Sequence, residues 1–216
     1  MSVLTRIKKL FRGYGRFEPT VGMSGIPPCT VRPFSGQDLS ACRLLYELNE
    51  PGRFPPGYLD LFIESLESPT QLFLVVEFES QVAAVGGIYR APESRQWCSL
   101  VFGMVHPNLH RKGLGTALLL ARLSVLEPPT GVWWAGLASA GGSETFFKRF
   151  GFLHYGRYPS SADMREYDCY SAYLEEDWKS CARVLAERHV NLDRTELRVP
   201  IGPATSNDSM GRLHRR

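Results

Sequence analysis

The chain has 216 residues, of which 44% are hydrophobic and 22% are charged. This composition is typical of a soluble protein with one globular domain and tails. Lys and Arg together number 25 against 22 Asp and Glu, but the positive charge is concentrated at the two ends, residues 1–29 and 190–216. The middle of the chain is mildly acidic, which argues against a nucleic-acid-binding domain and leaves room for a cationic substrate.

The cysteines and the apolar segments indicate the compartment. The five cysteines are scattered and form no C-x-x-C pair: Cys29, Cys42, Cys98, Cys169 and Cys181. Such a set indicates reduced thiols in a cytosolic type of compartment, with neither a disulfide framework nor a zinc site. No apolar stretch approaches the roughly 20 residues that a transmembrane helix needs. We therefore expect a cytoplasmic protein without a metal or a transmembrane segment.

The N-terminal segment, residues 1–29, begins with apolar residues at helical spacing surrounded by Lys and Arg, and then becomes rich in glycine. This pattern predicts a basic, partly disordered tail. Three interpretations of the tail remain open: it docks on its own domain, it contacts a membrane surface, or it targets the protein to an organelle.

From residue 30 the pattern is that of a folded domain. It predicts a strand at Thr30–Arg32, a helix after Asp38, a loop at Pro51–Pro56 and a second helix from Leu59. Three segments rich in β-branched and apolar residues follow, separated by short polar stretches, and predict an antiparallel meander over 71–78, 81–90 and 96–106.

The second half of the domain alternates helices and strands. It predicts a helix at 116–126, a strand at 132–138, a short helix at 143–150, strands at 152–158 and 167–174, and a last helix at 175–189. Together these elements predict an α/β domain over residues 30–189. Residues 190–216 are expected to form a flexible tail.

One turn carries a chemical signal. The strand ending at Val105 is followed by a glycine-rich turn, His110–Gly115, that leads directly into a helix. Glycines let the backbone approach an anion closely, and the helix N-terminus adds N–H donors and partial positive charge. The turn is neither a P-loop nor a dinucleotide fingerprint, because it lacks Gly-Lys-Ser/Thr and G-x-G-x-x-G.

This strand, turn and helix resemble the GNAT acetyltransferase family, whose pyrophosphate motif is Gln/Arg-x-x-Gly-x-Gly/Ala. The segment Phe146–Phe152 resembles the second motif of that family, an aromatic pair followed by three residues and Gly-Phe. The resemblance extends over about residues 30–175 in order and spacing. It implies a three-layer fold with a central twisted mixed β-sheet flanked by helices.

The resemblance also implies a donor site. Acetyl-CoA would lie in a splay between the strand ending at Val105 and the strand at 132–138, with the main chain of Met104 and Val105 bonding the pantetheine arm. His110 occupies the usual Gln or Arg position, and Phe147 lies in the second motif. The amides expected to hold the pyrophosphate are those of Arg111, Lys112, Gly113, Leu114, Gly115 and Thr116.

Two family positions for catalysis depart from the pattern. Phe147 stands where the family commonly has the tyrosine that protonates the thiolate, and Ser99 stands where some members have a glutamate base. Losing both groups slows direct transfer but does not forbid it. The catalytic residues are therefore unknown, and Ser99, Tyr155 and Tyr158 are weak candidates.

For the acceptor, the resemblance points to Arg53, Tyr58, Trp134 and Tyr158, and acidic and aromatic side chains near these positions suit an amine. The predicted function is transfer of an acetyl group from acetyl-CoA to a primary amine, on a small molecule or a protein, by direct attack in a ternary complex. Two alternatives stay open: a catalytically weak or inactive CoA-binding protein, and an adaptor acting through its basic N-terminal tail. No nucleic acid partner is expected, and whether the chain forms a homodimer is left open.

Overall fold

The computed structural model describes residues 15–54, 57–90, 96–126, 134–139, 142–159, 165–174, 177–193, 197, 199 and 200, with only the backbone at 51–53 and 134. The helices are α1 (Leu39–Arg53), α2 (Leu59–Glu67), α3 (Leu114–Ser124), α4 (Glu144–Arg149) and α5 (Asp177–Glu187). The strands are β1 (Gly15–Arg16), β2 (Cys29–Pro33), β3 (Gln71–Phe78), β4 (Gln81–Tyr89), β5 (Trp97–Val105), β6 (Trp134–Ser139), β7 (Leu153–Pro159), β8 (Glu166–Tyr173) and β9 (Val190–Leu192).

The described strands form one mixed sheet in the order β1-β8-β6-β5-β4-β3-β2-β9. Strand β7 also pairs with β8, on the edge that β1 uses and opposite the edge paired with β6. Strands β3, β4 and β5 form the predicted antiparallel meander. Strand β6 is parallel to β5 and antiparallel to β8. Because β5 and β6 are parallel, a crossover must connect them, and α3 lies in that crossover.

The sheet lies between two helical layers. Alternate residues of β3 point to opposite faces: Leu74 packs in the cluster that contains α3 and α5, whereas Val75 packs with α1 and α2. Within the second cluster the ring of Phe62 stacks on Tyr46, with their centroids 5.4 Å apart. The predicted three-layer fold is therefore confirmed.

Helix α1 is longer than the sequence predicts. The segment Pro51–Pro56 is predicted as a loop, but α1 continues to Arg53. The N–H of Phe54 donates to the carbonyl of Glu50 at 3.3 Å, and the Phe54 ring stacks on Tyr46 with the centroids 5.1 Å apart. This packing keeps the last turn helical although Pro51 brings no N–H donor.

Part of the predicted N-terminal tail belongs to the sheet. Strand β1 pairs in parallel with β8, and the adjacent Phe17 is only 1% exposed. Its ring lies between Phe150 and Phe152, with centroids 6.2 and 6.1 Å away. The amphipathic pattern of residues 3–12 lies outside the described residues. At the other end, β9 pairs with β2 within the segment predicted as the C-terminal tail.

Among the helices that the structure describes, none is both long and apolar enough to cross a membrane.

We predict that Phe17→Ala lowers the free energy of unfolding by about 3–5 kcal/mol, because it removes a buried aromatic ring from the core. Urea denaturation of the full chain measures this loss. The control is Leu44→Ala on α1, where the side chain is 52% exposed, and it should change the stability by less than about 0.5 kcal/mol. Equal effects of the two substitutions would show that the segment around Phe17 is not part of the folding unit.

Candidate functional site

Strands β5 and β6 pair over only three residue pairs and then separate. The pairs are Trp97 with Trp134, Cys98 with Ala135, and Ser99 with Gly136. The Trp97 ring lies directly over Gly136, where a Cβ atom would come within 2.0 Å of it. Beyond Ser99 the strands diverge and form the walls of a cleft of about 900 Å³. That volume lies in the upper range for small-molecule sites.

The N-terminus of α3 opens into this cleft. Gly113 has a φ of +83° and is the N-cap of α3, and the first hydrogen bond within the helix runs from Ala117 N–H to Gly113 O. The N–H groups of Leu114, Gly115 and Thr116 therefore have no acceptor within the helix. These donors and the helix dipole make this end of the cleft a site for an anion.

Basic side chains surround the same end of the cleft. Arg111, Lys148 and Arg149 line it. Arg149 also donates to the Thr116 hydroxyl at 3.4 Å. Lys148 forms an ion pair with Glu144. The sequence analysis missed Lys148 and Arg149, and their only signal was their position inside the second motif. The positive charge favours an anionic ligand.

A β-bulge turns β5 toward the cleft. The pairing of β4 with β5 shifts register between Val85 and Gly87, and Phe102 adopts a φ of +45°, which is unusual for a residue with a side chain. The Phe102 ring packs in the aromatic cluster of α1 and α2, 5.2 Å from the Phe62 ring centroid. Phe102 and Gly103 both line the cleft, and the sequence analysis predicted neither of them.

The end of β5 is held by two side chains. The carbonyl of Val105 accepts from Asn49 Nδ2 at 3.1 Å and from His110 Nε2 at 2.9 Å. His110, predicted at the phosphate, thus contacts the strand through Nε2 and also lines the cleft. The N–H of His106 donates to the carbonyl of Ala83 in β4. Because the N–H and C=O groups of successive strand residues point to opposite sides, those of Met104 also point toward β4. Those of Val105 point the other way, toward the cleft.

The weak catalytic candidates lie together, next to Trp97. Its Nε1 donates to Ser99 Oγ at 3.3 Å, and its ring contacts Tyr155, which in turn contacts Tyr158 at a centroid distance of 5.8 Å. None of the three candidates lines the cleft. Burial raises the pKa of Tyr155 well above its usual value, so this hydroxyl stays protonated. Phe147 does line the cleft.

The other predicted residues are distributed over several places. Tyr58 packs against the cluster of α1 and α2 and does not line the cleft, whereas the neighbouring Phe54 does. The side chains of Arg53 and Trp134 lie outside the described residues. Lys112 is exposed, and the Leu114 side chain is buried in the core, so only its amide is available. Within the described ranges, no three His, Cys, Asp or Glu side chains come together as a metal site.

The two glycines of the turn differ in what they tolerate. A Cβ atom at Gly113 would lie 1.9 Å from the carbonyl oxygen of Gly25, whereas one at Gly115 would meet Val105 Cγ2 at an ordinary 3.5 Å. We predict that Gly113→Ala lowers the free energy of unfolding by more than about 1 kcal/mol. Gly115→Ala, its matched control, should leave it unchanged or raise it by up to about 1 kcal/mol. Urea denaturation compares the two variants, and equal stabilities would contradict the described turn.

The comparisons with known proteins agree with this geometry. The profile of the Acetyltransferase (GNAT) family matches residues 39–152, and no curated protein matches the sequence significantly. Among solved structures, Ard1 from Thermoplasma volcanium is 18% identical with a TM-score of 0.55, over 68% of this chain and 98% of that one. PaiA N-acetyltransferase from Thermoplasma acidophilum, in complex with coenzyme A, is 15% identical with a TM-score of 0.50, over 67% and 98%.

A third structure is N-acetylglutamate synthase from Neisseria gonorrhoeae, complexed with coenzyme A and N-acetyl-glutamate. It is 18% identical with a TM-score of 0.52, over 68% of this chain and 35% of that one. At these identities the structural likeness bears on the fold alone. The family profile, however, covers more than half of the chain, and this protein therefore belongs to the GNAT family of acetyltransferases.

Proposed function

We propose that this acyltransferase moves an acetyl group from acetyl-CoA to a primary amine by direct attack within a ternary complex. The observation that carries the proposal is the separation of β5 and β6 after three residue pairs. It opens a cleft that extends from the N-terminus of α3 along β5. A long ligand with an anionic end and an uncharged arm suits this cleft.

The donor site has the groups that a pyrophosphate needs. The amides of Leu114, Gly115 and Thr116 have no acceptor in the helix, and Arg111 and Arg149 line the same end. A Cβ atom at Gly115 would extend into the space between Val105 and Phe146. The residues therefore fit the CoA phosphates, with the basic side chains supplementing the amide donors.

The pantetheine arm would lie along the end of β5. Because the Val105 carbonyl already accepts from Asn49 and His110, the group left for the arm is the N–H of Val105. This refines the expectation that the main chain of both Met104 and Val105 bonds the donor. The bulge at Phe102 would bring main-chain N–H groups near the thioester carbonyl, where they stabilise developing negative charge.

The acceptor would enter from the opposite side of the sheet, where Asn49 and Phe54 of the α1 layer line the cleft. The Phe54 ring would contact apolar parts of the acceptor. In the transfer, the amine nitrogen forms a bond to the acetyl carbon and the bond to sulfur breaks. The amine proton passes to water, and the thiolate is a good leaving group that takes a proton from water.

A second candidate function is CoA binding with little or no transfer. The observation that favours it is Phe147, which lines the cleft without a hydroxyl, together with Ser99, whose hydroxyl is bonded to Trp97. We expect release of free CoA thiol from acetyl-CoA to require an added amine. Release that is independent of amines, or no release with any of a broad panel of primary amines, would favour the second candidate.

The donor is tested by thermal unfolding of the full chain with and without acetyl-CoA. At a concentration of about 100 times Kd, the ligand adds roughly 2.7 kcal/mol. For a chain of this size that corresponds to a rise in Tm of about 5–10 °C. ADP, which lacks the pantetheine arm, should give a much smaller rise. No rise with acetyl-CoA would overturn the donor assignment.

The place of the phosphates is tested at Gly115, where a side chain meets only ordinary contacts. We predict that Gly115→Glu weakens acetyl-CoA binding at least about tenfold more than Gly115→Gln, since only the first puts a negative charge beside the pyrophosphate. Calorimetric titration measures both values of Kd. The two side chains have nearly the same size, so equal losses would mean that the phosphates lie elsewhere.

A further inference from the structure

Arg122 is a buried cation in the wall of the cleft. It lies on α3 and its side chain is 2% exposed, yet it lines the same cleft as Gly115 and Leu118. The spacing of three and four residues places all three on one face of the helix. Arg122 follows Gly115 by seven residues, which is about 10 Å along the helix axis. Its Cα atom is therefore two helical turns from the N-terminus of α3, and its guanidinium lies beside Gly86 and Gly103 at the bulge, a place that we call the inner end of the cleft.

Few groups of the protein satisfy this guanidinium. Nη1 donates to the carbonyl of Gly87 at a long 3.4 Å, and Nε has no hydrogen-bond partner among the residues that the structure describes. No carboxylate of the described residues contributes to its charge balance. The titratable group that interacts with it is Cys98, but this thiol supplies no counter-charge at pH 7, because burial raises its pKa to about 12. Burial lowers the pKa of Arg122 to about 10, so the side chain remains charged.

Two strands leave room for the guanidinium. A Cβ atom at Gly86 of β4 would lie 3.0 Å from Nη1 and 3.2 Å from Cζ, and one at Gly103 of β5 would lie 3.2 Å from Nη2. The planar group thus lies over bare backbone at the bulge. Gly103 lines the cleft as well, so this end of the cleft is next to the guanidinium.

A buried charge without a counter-ion is unfavourable in the free protein, and a bound anion would offset that cost. The planar fork of arginine matches a carboxylate. The pyrophosphate would be held two helical turns away. We propose that Arg122 forms a carboxylate-binding subsite at the inner end of the cleft, an inference that rests on the proposed function. The carboxylate belongs to the acyl group of the donor or to the acceptor amine.

The test compares the wild-type chain with Arg122→Met, which removes the charge, and Arg122→Lys, which keeps the charge without the fork. In the donor arm, calorimetry measures the Kd of acetyl-CoA, malonyl-CoA and succinyl-CoA. In the acceptor arm, the CoA-saturated protein is titrated with tyrosine against tyramine and with lysine against cadaverine. We expect at least tenfold tighter binding of the carboxylate-bearing ligands in one arm, a preference lost in Arg122→Met and reduced in Arg122→Lys.

A second measurement separates this role from a structural one. Because the subsite is unfavourable when empty, ligand-free Arg122→Met should have a Tm equal to or above that of the wild type. A lower Tm would mean that Arg122 stabilises the fold and would overturn the proposal.

The remaining outcomes separate the two proposals. Equal binding of acetyl-CoA and the dicarboxylic thioesters, with no preference for amino acids over amines, would overturn the subsite but not the proposed function. If Arg122→Met raises the Kd of every ligand by the same factor, the subsite is also overturned, since Arg122 would then act on the thioester itself. If acetyl-CoA does not bind the wild type at all, the proposed function fails and the subsite fails with it.

Discussion

The site depends on one constraint, the short pairing between β5 and β6. Three residue pairs keep the strands together at Trp97–Ser99, and close pairing is feasible there because Gly136 leaves space for the Trp97 ring. After these pairs the strands separate, and the backbone groups on the facing edges are left for a ligand. The crossover helix α3 begins where the gap is open, so its free N–H donors face the cleft rather than the core.

Positive charge lies at two places in the cleft, at the N-terminus of α3, its outer end, and at the guanidinium of Arg122, its inner end. At the outer end, the helix N–H donors and the exposed basic side chains remain hydrated, so their charge has little effect on the stability of the fold. At the inner end, Arg122 is buried, and the described residues leave its Nε without a hydrogen-bond partner. The rest of the fold must offset the free-energy cost of this burial. Leu100, Leu118 and Leu137 are among the apolar residues that line the cleft. A departure from ordinary core packing of this kind is typical of functional sites.

Backbone strain and hydrogen bonding both fix the conformation of the end of β5. Phe102 adopts a positive φ, and its ring is held in the aromatic cluster between α1, α2 and the sheet, which stabilises the bulge. Asn49 and His110 then occupy the Val105 carbonyl. Helix α1 and the glycine turn therefore both fix the strand that would carry the pantetheine arm. The backbone is therefore preorganised for a ligand. Since Phe147 cannot donate a proton, such preorganisation would be the main contribution of this site to acetyl transfer.

The local patterns of the sequence alone predict the order of the main elements, the antiparallel meander and the glycine turn at the start of α3. Periodicity and turn residues act over a few positions, and the sequence carries them directly. Strand β1 is only two residues long, and its pairing with β8 brings together residues that are far apart in the chain. No local sequence pattern could therefore predict this strand. The helical last turn of α1 at Pro51 depends on the packing of Phe54. The approach of Asn49 and His110 to one carbonyl, and the placement of Arg122 over two glycines of different strands, are likewise products of tertiary packing, because each joins groups from separate layers of the fold.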